Sequence, residues 1–184
     1  MVYPVYVYGN PILRKIAKEI NEDYPNLAEF IENMFETMEK SDGIGLAAPQ
    51  VGESIRLFVI NGAPLADDDE SLKDFRKVFI NAKIVERYGD DKTYNEGCLS
   101  LPGIREDVVR KSTIRIRYYD EDFNLYDEIF DGIKARIIQH EYDHIEGKLL
   151  IDHLVPLKKR LLKRKLSDIS KGIVEVSYKI KTVK

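Results

Sequence analysis

Apolar residues between Pro25 and Lys40 recur three or four positions apart. This spacing places them on one side of a helix and predicts an amphipathic helix over residues 25–40. Pro25 is tolerated in a first helical turn, and Gly43 stands just past the predicted end. We therefore expect this N-terminal helix to pack its apolar face against a core.

Four later segments are rich in Val, Ile, Tyr and Phe, which favour β-strands. They are residues 56–60, 77–87, 113–119 and 125–130. The last two flank residues 120–124 and predict a β-hairpin in an antiparallel sheet. Between the first two, residues 61–76 carry Gly62, Pro64 and a run of four acidic side chains at 67–70. This composition predicts a solvated loop and not a metal site.

A second helix is predicted after Asp131, whose side chain is of a capping type, and Gly147 is placed to end it. Helical spacing puts five residues on one face of this helix: Ile133, Ile137, His140, Glu141 and His144. Because that face combines apolar side chains with titratable ones, we expect the functional residues of the protein to lie on this helix.

A third helix is predicted over residues 157–170, after Pro156. Its inward face is expected to consist of Leu157, Leu161, Leu162, Leu166 and Ile169. Its outer face carries Lys158, Lys159, Arg160, Lys163, Arg164 and Lys165. Residues 173–180 then alternate like an edge strand. We expect a single α+β catalytic domain over residues 1–184, with antiparallel sheets around the central helix, the amphipathic N-terminal helix, and the C-terminal helix with its edge strand.

Composition narrows the class of protein. The chain has 184 residues, 43% of them hydrophobic and 33% charged, which is too apolar for a disordered chain and too charged for a membrane-embedded one. Its net charge of -3 gives no general attraction to nucleic acid or to an anionic membrane. No targeting segment or bilayer-spanning run is apparent, and a lone cysteine, Cys98, suits a reducing compartment. We expect a cytoplasmic protein that binds no membrane and no specific DNA.

Two of the three histidines lie four positions apart in the segment His140-Glu141-Tyr142-Asp143-His144. On a helix both imidazoles then face the same way and are able to ligate one metal ion, while Glu141 reaches a water molecule on that ion. The alternative is a pair of ordinary surface histidines. Tyr142 and Asp143 are expected to serve the scaffold, Asp143 either by orienting a ligand histidine or by capping a neighbour.

A catalytic site of this type needs a third protein ligand. In the metzincin pattern a histidine would stand at position 150, which is Leu150, and His153 lies three residues too late. We expect His153 to be a surface or loop histidine. The remaining soft ligand is Cys98, in the segment EGCLSLPG at residues 96–103. The alternative for a lone cysteine is a small inert core residue.

The segment GIGLAAPQ at residues 43–50 directly follows the first predicted helix. Its glycines permit close backbone approach, and Pro49 stiffens the stretch that presents the Gln50 amide. Together, GIGLAAPQ, EGCLS and QHEYDH resemble the three signature motifs of peptide deformylases, in this order and with comparable separations. The spacing and the element order extend the resemblance over roughly residues 4–152.

The resemblance implies three ligands of a divalent metal: Cys98, His140 and His144. Fe²⁺ is common in that family, although Ni²⁺, Co²⁺ or Zn²⁺ would accept the same donors. Glu141 is implied to be the general base and then the acid, and the Gln50 side chain and the Leu99 backbone N–H to stabilise the oxyanion. The implied peptide site is lined by Ile44, Gly45 and Gly97, with Arg105 as a substrate contact. The apolar pocket for methionine would lie near Ile44 and Ile137.

The expected function is therefore removal of the N-formyl group from the starting methionine of newly synthesised polypeptides, with release of formate. A bound metal lowers the pKa of its water from about 15.7 to about 7, so that the nucleophile forms at neutral pH with Glu141 as base. The alternatives are a zinc endopeptidase and a closed structural metal site in a binding module. The cationic face at residues 158–165 is expected either to be merely solvated or to contact the ribosome.

Overall fold

The computed structural model describes residues 1–183. Its strands are β1 (Val5–Tyr6), β2 (Gly45–Ala47), β3 (Leu57–Asn61), β4 (Arg76–Gly97), β5 (Arg105–Tyr119), β6 (Leu125–Asp131) and β7 (Ile180–Lys181). Its α-helices are α1 (Leu27–Lys40), α2 (Gly132–Ile145) and α3 (Pro156–Ser170). Strands β2 to β6 form one antiparallel sheet in chain order, and β1 pairs with β7 in a small sheet. The predicted α+β class is confirmed, but the small sheet is parallel and not antiparallel as expected.

The hairpin of β4 and β5 is the longest feature of the large sheet. Its pairing runs from Ile80 opposite Tyr119 to Gly97 opposite Arg105, interrupted by shifts in register that bend the ribbon. The sequence predicted only the inner parts, 77–87 and 113–119, because residues 85–95 of β4 are all exposed and show no apolar alternation. The outer part of this hairpin leads directly into Cys98.

Helix α1 begins at Leu27, because Asn26 has a left-handed backbone conformation (φ 56°) that a right-handed helix cannot include. The buried apolar residues of α1 are Leu27, Ile31, Met34, Phe35 and Met38. They pack with residues of β3, including Leu57 and Val59, in one core cluster. The predicted amphipathic helix is therefore confirmed, with a later start.

Helix α2 lies at the centre of the fold. Ala135, Ile138 and Ile145 are completely buried and belong to the core cluster that includes the large sheet. Asp131 stands at the predicted cap position, although its side chain makes no capping hydrogen bond. Gly147, with φ 70°, follows the end of the helix as expected. The central helix predicted from the sequence is confirmed.

Helix α3 packs through its second half only. Leu166 and Ile169 are buried, whereas Leu157 and Leu161 are 65% and 75% exposed. Leu162 is half-buried. The predicted inward face is therefore wrong for Leu157 and Leu161, because the first turns of α3 extend past the core that the second half contacts.

The C-terminal tail pairs with a neighbouring strand only near its end. Residues 173–180 do alternate between exposed and half-buried positions, yet regular pairing is limited to Ile180 and Lys181 of β7. Since β1 offers only Val5 and Tyr6 as partners, a longer strand has nothing to pair with in the described chain. The predicted edge strand over 173–180 is wrong for most of its length.

The acidic loop at 61–76 is solvated, as predicted, but it is anchored at one point. It contains two single-turn 3₁₀ helices, Ala63–Leu65 and Glu70–Leu72. Asp67 and Asp68 are exposed, whereas Leu72 is completely buried in the core. Among residues 1–183, no helix combines the length and the apolar character needed to cross a bilayer.

Candidate active site

Three potential metal ligands converge where β4 ends beside α2. One donor atom from each of Cys98, His140 and His144 lies within 4.8 Å of the others. Cys98 Sγ lies 3.4 Å from His144 Nε2, and the two imidazole ring centroids lie 5.2 Å apart. Metal–ligand bonds of about 2.0–2.3 Å around a tetrahedral ion require donors at this kind of separation. The three predicted ligands are therefore brought together within reach of one divalent ion.

The electrostatics of this cluster favour a thiolate. Burial alone would raise the pKa of Cys98, but the adjacent His144 and His140 imidazoles outweigh it and lower the pKa of the thiol to about 5. For His140, burial opposes the charged form, yet its hydrogen bonds to Cys98 and Glu96 raise its pKa well above the usual value. Thiolate is the form of cysteine that binds metals, and a cation entering such a site displaces the imidazole proton.

Glu141 lies beside the ligands with one oxygen unsatisfied. Its side chain is buried, and its Oε2 atom has no hydrogen-bond partner among residues 1–183, as is also true of His144 Nδ1. Burial raises the pKa of Glu141 to about 7. Gly45 makes room for this carboxylate, because a Cβ at position 45 would lie 2.3 Å from Glu141 Oε1. An unpaired carboxylate oxygen at this position fits a proton acceptor for a water molecule.

The Gln50 amide is held in one orientation by its neighbours. Gln50 lies in the 3₁₀ helix Ala48–Val51, and its Oε1 accepts a hydrogen bond of 2.9 Å from the Ala47 backbone N–H. Its Nε2 donates to Ser100 Oγ at 3.1 Å and lies 3.7 Å from Cys98 Sγ. Because Oε1 is already bound, the NH₂ group of Gln50 faces the metal cluster. Sequence reasoning missed Ser100, which carries no catalytic signature of its own.

A buried ion network supports His140. Glu96 Oε2 lies 3.0 Å from His140 Nδ1, so that Nε2 of the same ring is left to face the metal cluster. Arg110 binds both Glu96 oxygens, at 2.8 and 3.0 Å, and Arg136 adds a bond of 2.8 Å. Burial would raise the pKa of Glu96, but the His140 and Arg110 contacts hold it well below its usual range. The sequence signalled none of these pairings, although Glu96 lies in the EGCLS segment.

Asp143 serves this network and not a ligand histidine. It accepts hydrogen bonds from Arg110 Nη1 at 2.8 Å and His153 Nε2 at 2.7 Å. Asp143 therefore serves the scaffold, as predicted, but neither expected pairing, with a ligand histidine or with a neighbour that it caps, is present. His153 is an exposed residue at the end of the 3₁₀ helix Leu150–His153, in agreement with its prediction as a surface or loop histidine.

A cavity of about 680 Å³ opens onto the metal cluster. Its apolar lining includes Ile44, Ile133 and Ile137, close to where the sequence placed the methionine pocket. The following predicted site residues also line it: Gly45, Gln50, Gly97, Cys98, Leu99, Arg105, His140 and Glu141. Among the parts of the wall that were not predicted are Leu65 from the acidic loop and residues 175–178 of the tail. Both lie outside the three motifs, where the sequence gives no sign of proximity to the site.

Arg105 reaches the cavity from the start of β5. Its guanidinium donates to the Asn95 side-chain and main-chain oxygens at 2.9 and 2.8 Å. It also lies across Gly97, where a Cβ would come within 2.7 Å of Arg105 Nη1. A substrate contact by Arg105 would therefore use donors that are not engaged with Asn95.

Comparisons with known proteins bear directly on this arrangement. The family model described as polypeptide deformylase matches residues 2–160. The chain is 52% identical to the peptide deformylase of Christiangramia forsetii, over 98% of this chain and 96% of that protein. It is 51% identical to the peptide deformylase of Cytophaga hutchinsonii, over 98% and 97% of the two chains. The chain belongs to the peptide deformylase family. Members of this family remove the N-formyl group from nascent peptides.

Solved deformylase structures share the fold as well as the sequence. The chain is similar to a peptide deformylase from Legionella pneumophila, with a TM-score of 0.81 and 36% identity over 94% of this chain and 98% of that one. It is also similar to the Plasmodium falciparum peptide deformylase in complex with an inhibitor, with a TM-score of 0.78 and 38% identity over 91% and 99%. The family resemblance stated from the motifs is thereby confirmed. It extends beyond residue 152, since the curated relatives cover 98% of the chain.

Proposed function

We propose that this chain hydrolyses the N-formyl group of peptides that begin with formylmethionine, acting as a single catalytic domain and releasing formate and a free amino terminus. The observation that carries the proposal is the convergence of Cys98, His140 and His144 beside the unpaired Glu141 carboxylate, at one end of an apolar cavity. A zinc endopeptidase with a third histidine or glutamate ligand is disfavoured, because Cys98 occupies that place.

Cys98, His140 and His144 would hold one divalent ion through Sγ and the two Nε2 atoms. When bound, such an ion supplies Lewis acidity, which polarises a carbonyl group and makes a water molecule more acidic. The donor set fits a soft or borderline ion, and we propose Fe²⁺ as the physiological metal, with Ni²⁺, Co²⁺ and Zn²⁺ as substitutes. A closed structural site is disfavoured, because the cluster within residues 1–183 comprises three ligands whereas such sites use four.

Glu141 is proposed as the proton carrier. Its Oε2 is free to accept a proton from the attacking water and to pass it to the nitrogen of the leaving amino terminus, so that the C–N bond breaks with formate on one side and an amine on the other. The raised pKa of about 7 matches a group that must both take up and release a proton near neutral pH.

Gln50 and Leu99 are proposed as the oxyanion donors. The NH₂ group of Gln50 is turned toward Cys98 by its bonds to Ala47 and Ser100, and the Leu99 backbone N–H follows the cysteine directly. Negative charge develops on the formyl oxygen during attack, and each fixed donor at that point is worth on the order of 3 kcal/mol.

The peptide itself is proposed to bind along β2 and the end of β4. Ile44 and Gly45 on one side and Gly97 on the other line the cavity, with Arg105 at its edge. The methionine side chain would enter the apolar part formed by Ile44, Ile133 and Ile137. Close backbone approach at the two glycines leaves space for an extended peptide.

The decisive experiment is a formate-release assay on a formyl-Met tripeptide, using protein loaded anaerobically with Fe²⁺ or Ni²⁺. Glu141→Gln should retain the metal and lose at least about 1,000-fold in kcat, as expected for a general base. Lys134→Gln, at the half-buried start of α2 and outside the cavity lining, is the matched control and should keep full activity. Protein that holds one metal ion per chain and releases no formate would refute the proposed function; cleavage of unformylated casein would favour an endopeptidase.

A ribosome contact is proposed for the cationic part of α3. Four cationic side chains of this part are exposed: Lys159 and Lys163, one helical turn apart, and Arg160 and Arg164, also one turn apart. Lys158 instead forms an ion pair with Glu106 at 2.7 Å. Reversing the four exposed charges should lower co-sedimentation with ribosomes and leave turnover of a free peptide unchanged. Undiminished co-sedimentation would refute the contact.

The lone cysteine and the nascent-chain substrate support a cytoplasmic location.

A further inference from the structure

The C-terminal tail forms a wall of the cavity, although it lies beyond the three motifs and beyond the part matched by the family model. It is tied down on both sides of residues 175–178. On one side the Ile173 N–H donates to the Asp168 carbonyl at 2.9 Å, and on the other the Val5 N–H donates to the Lys179 carbonyl at 2.8 Å. The tail is therefore held against the cavity at two defined points.

Tyr178 connects this tail to the turn that follows Cys98. Its phenol O–H donates a hydrogen bond of 2.8 Å to the backbone carbonyl of Leu99. Burial raises the pKa of Tyr178 to about 12, so the phenol keeps its proton and remains a donor at neutral pH. No other bond between a tail side chain and the Cys98–Ser100 turn is present in the described residues.

Three successive carbonyls of this turn are each bound by a different donor. The Cys98 carbonyl accepts from the Leu101 N–H at 2.9 Å, and the Ser100 carbonyl accepts from the Tyr8 N–H at 2.9 Å. The middle one, Leu99, accepts from Tyr178. Because peptide groups are planar, the bonds to the Cys98 and Leu99 carbonyls fix the two planes on either side of the Leu99 Cα. The Leu99 N–H lies in the plane of the Cys98 carbonyl, and the bond to the Leu99 carbonyl restricts rotation of that plane about the Leu99 Cα.

We propose that Tyr178 is a positioning residue for deformylation: through the Leu99 carbonyl it holds the Leu99 backbone N–H in line with the formyl oxygen. This inference rests on the proposed function, in which that N–H stabilises the developing negative charge. The contribution of an oxyanion donor grows as the charge develops, so misalignment of the donor lowers kcat and leaves substrate binding nearly unchanged. A purely structural role for Tyr178 would lower thermal stability without changing kcat.

The first test is steady-state kinetics of Tyr178→Phe on the full, metal-loaded chain. The variant removes one oxygen and should lose about tenfold in kcat, the effect of one uncharged hydrogen bond, with KM within twofold of the wild type and metal content unchanged. Tyr126→Phe, on β6 and outside the cavity lining, is the matched control and should retain wild-type kinetics. An unchanged kcat, or a loss expressed only in KM, would overturn the assignment.

The second test is NMR of the Zn²⁺-loaded protein, which detects a change in the peptide group that carries the Leu99 carbonyl. Labelling Leu carbonyls with ¹³C and Ser amides with ¹⁵N marks only two peptide groups, Leu99–Ser100 and Leu166–Ser167. In Tyr178→Phe the first signal should shift and the second should stay in place; a stationary first signal would overturn the inference. Wild-type protein that is inactive with metal bound would instead refute the proposed function, so the two failures are distinguishable.

Discussion

A Cβ atom at Gly45 would lie 2.3 Å from Glu141 Oε1, well inside van der Waals contact. Gly45→Ala should therefore push the Glu141 carboxylate aside by about 1 Å, which is enough to cost on the order of 100-fold in kcat/KM. The three metal ligands are not touched, so metal content should be unchanged. Formate release and metal analysis on the same preparation check both expectations.

Gly132→Ala is the control for Gly45→Ala. Gly132 has φ 55°, and within the described chain no atom lies within 4 Å of the position of its Cβ. Its substitution should strain the backbone and lower the melting temperature while leaving kcat/KM intact. A Gly45→Ala enzyme with wild-type kcat/KM would contradict the placement of Glu141.

At the scale of single residues, the substitution Glu96→Gln tests the buried ion network around Glu96. The variant leaves Arg110 and Arg136 without their shared carboxylate and weakens the bond to His140 Nδ1. We expect a loss of about 3–5 kcal/mol in the free energy of unfolding, because buried cations lose their counter-charge. Metal affinity should fall about 10- to 100-fold, because the supporting bond to a ligand imidazole is weakened.

Urea unfolding and metal competition measure the two effects of Glu96→Gln. Asp127→Asn is the control, since Asp127 pairs with Arg115 and Arg117 in an exposed position and should change stability little. Equal stability changes in the two variants would contradict a structural role for the buried network.

Residues within one motif were predictable, whereas their supporting partners were not. His140 and His144 share a helix face, so their spacing in the sequence already places them together. Ser100 and Gln50, or Glu96 and Arg110, meet only because distant strands and turns pack, and no periodicity encodes such a pairing. Thus the motifs predicted the side chains of the metal cluster, and the structure supplied the residues that hold them in place.

At the scale of elements, periodicity predicted the helices better than the strands. Helix α1 buries an apolar stripe that is visible in the sequence, whereas α2 is buried on nearly all sides from Ala135 to Ile145. The outer half of β4 and the tail at 173–179 are exposed or half-buried, so their residue types are not constrained by a core. The length of β4 and the pairing of β7 depend on neighbours that the local pattern does not reveal.

Helix α3 gives an element-scale prediction. Ile169→Ala should reduce the free energy of unfolding by about 2–5 kcal/mol, because Ile169 is completely buried. Leu161→Ala, in the first half of the same helix and 75% exposed, should change it by less than about 0.5 kcal/mol. Urea denaturation of both variants measures the difference. Similar losses would mean that α3 packs along its whole length, as the leucine pattern alone predicts.

At the scale of the whole molecule, the metal cluster lies where large, metal-independent cores meet. Three clusters of buried apolar residues account for both sheets and all three helices, and Cys98 packs at the edge of one of them. Metal-dependent folding is typical of small domains that lack such cores. We therefore expect the fold of this chain not to depend on the ion, and a bound ion to stabilise it further.

Removal of the metal should consequently leave the chain folded but less stable and inactive. Binding of an ion at about 1,000 times its Kd adds about 4 kcal/mol, which corresponds to a melting temperature about 10 °C higher for a chain of this size. After anaerobic chelation, far-UV circular dichroism should be unchanged while the melting temperature falls, and added Fe²⁺ or Ni²⁺ should restore both stability and formate release. Cys98→Ser, which replaces the thiolate ligand, should show a much smaller response to added metal. A chelated protein that loses its helical signal would contradict this prediction, because the apolar cores would then be insufficient to hold the sheet and α2 together without the ion.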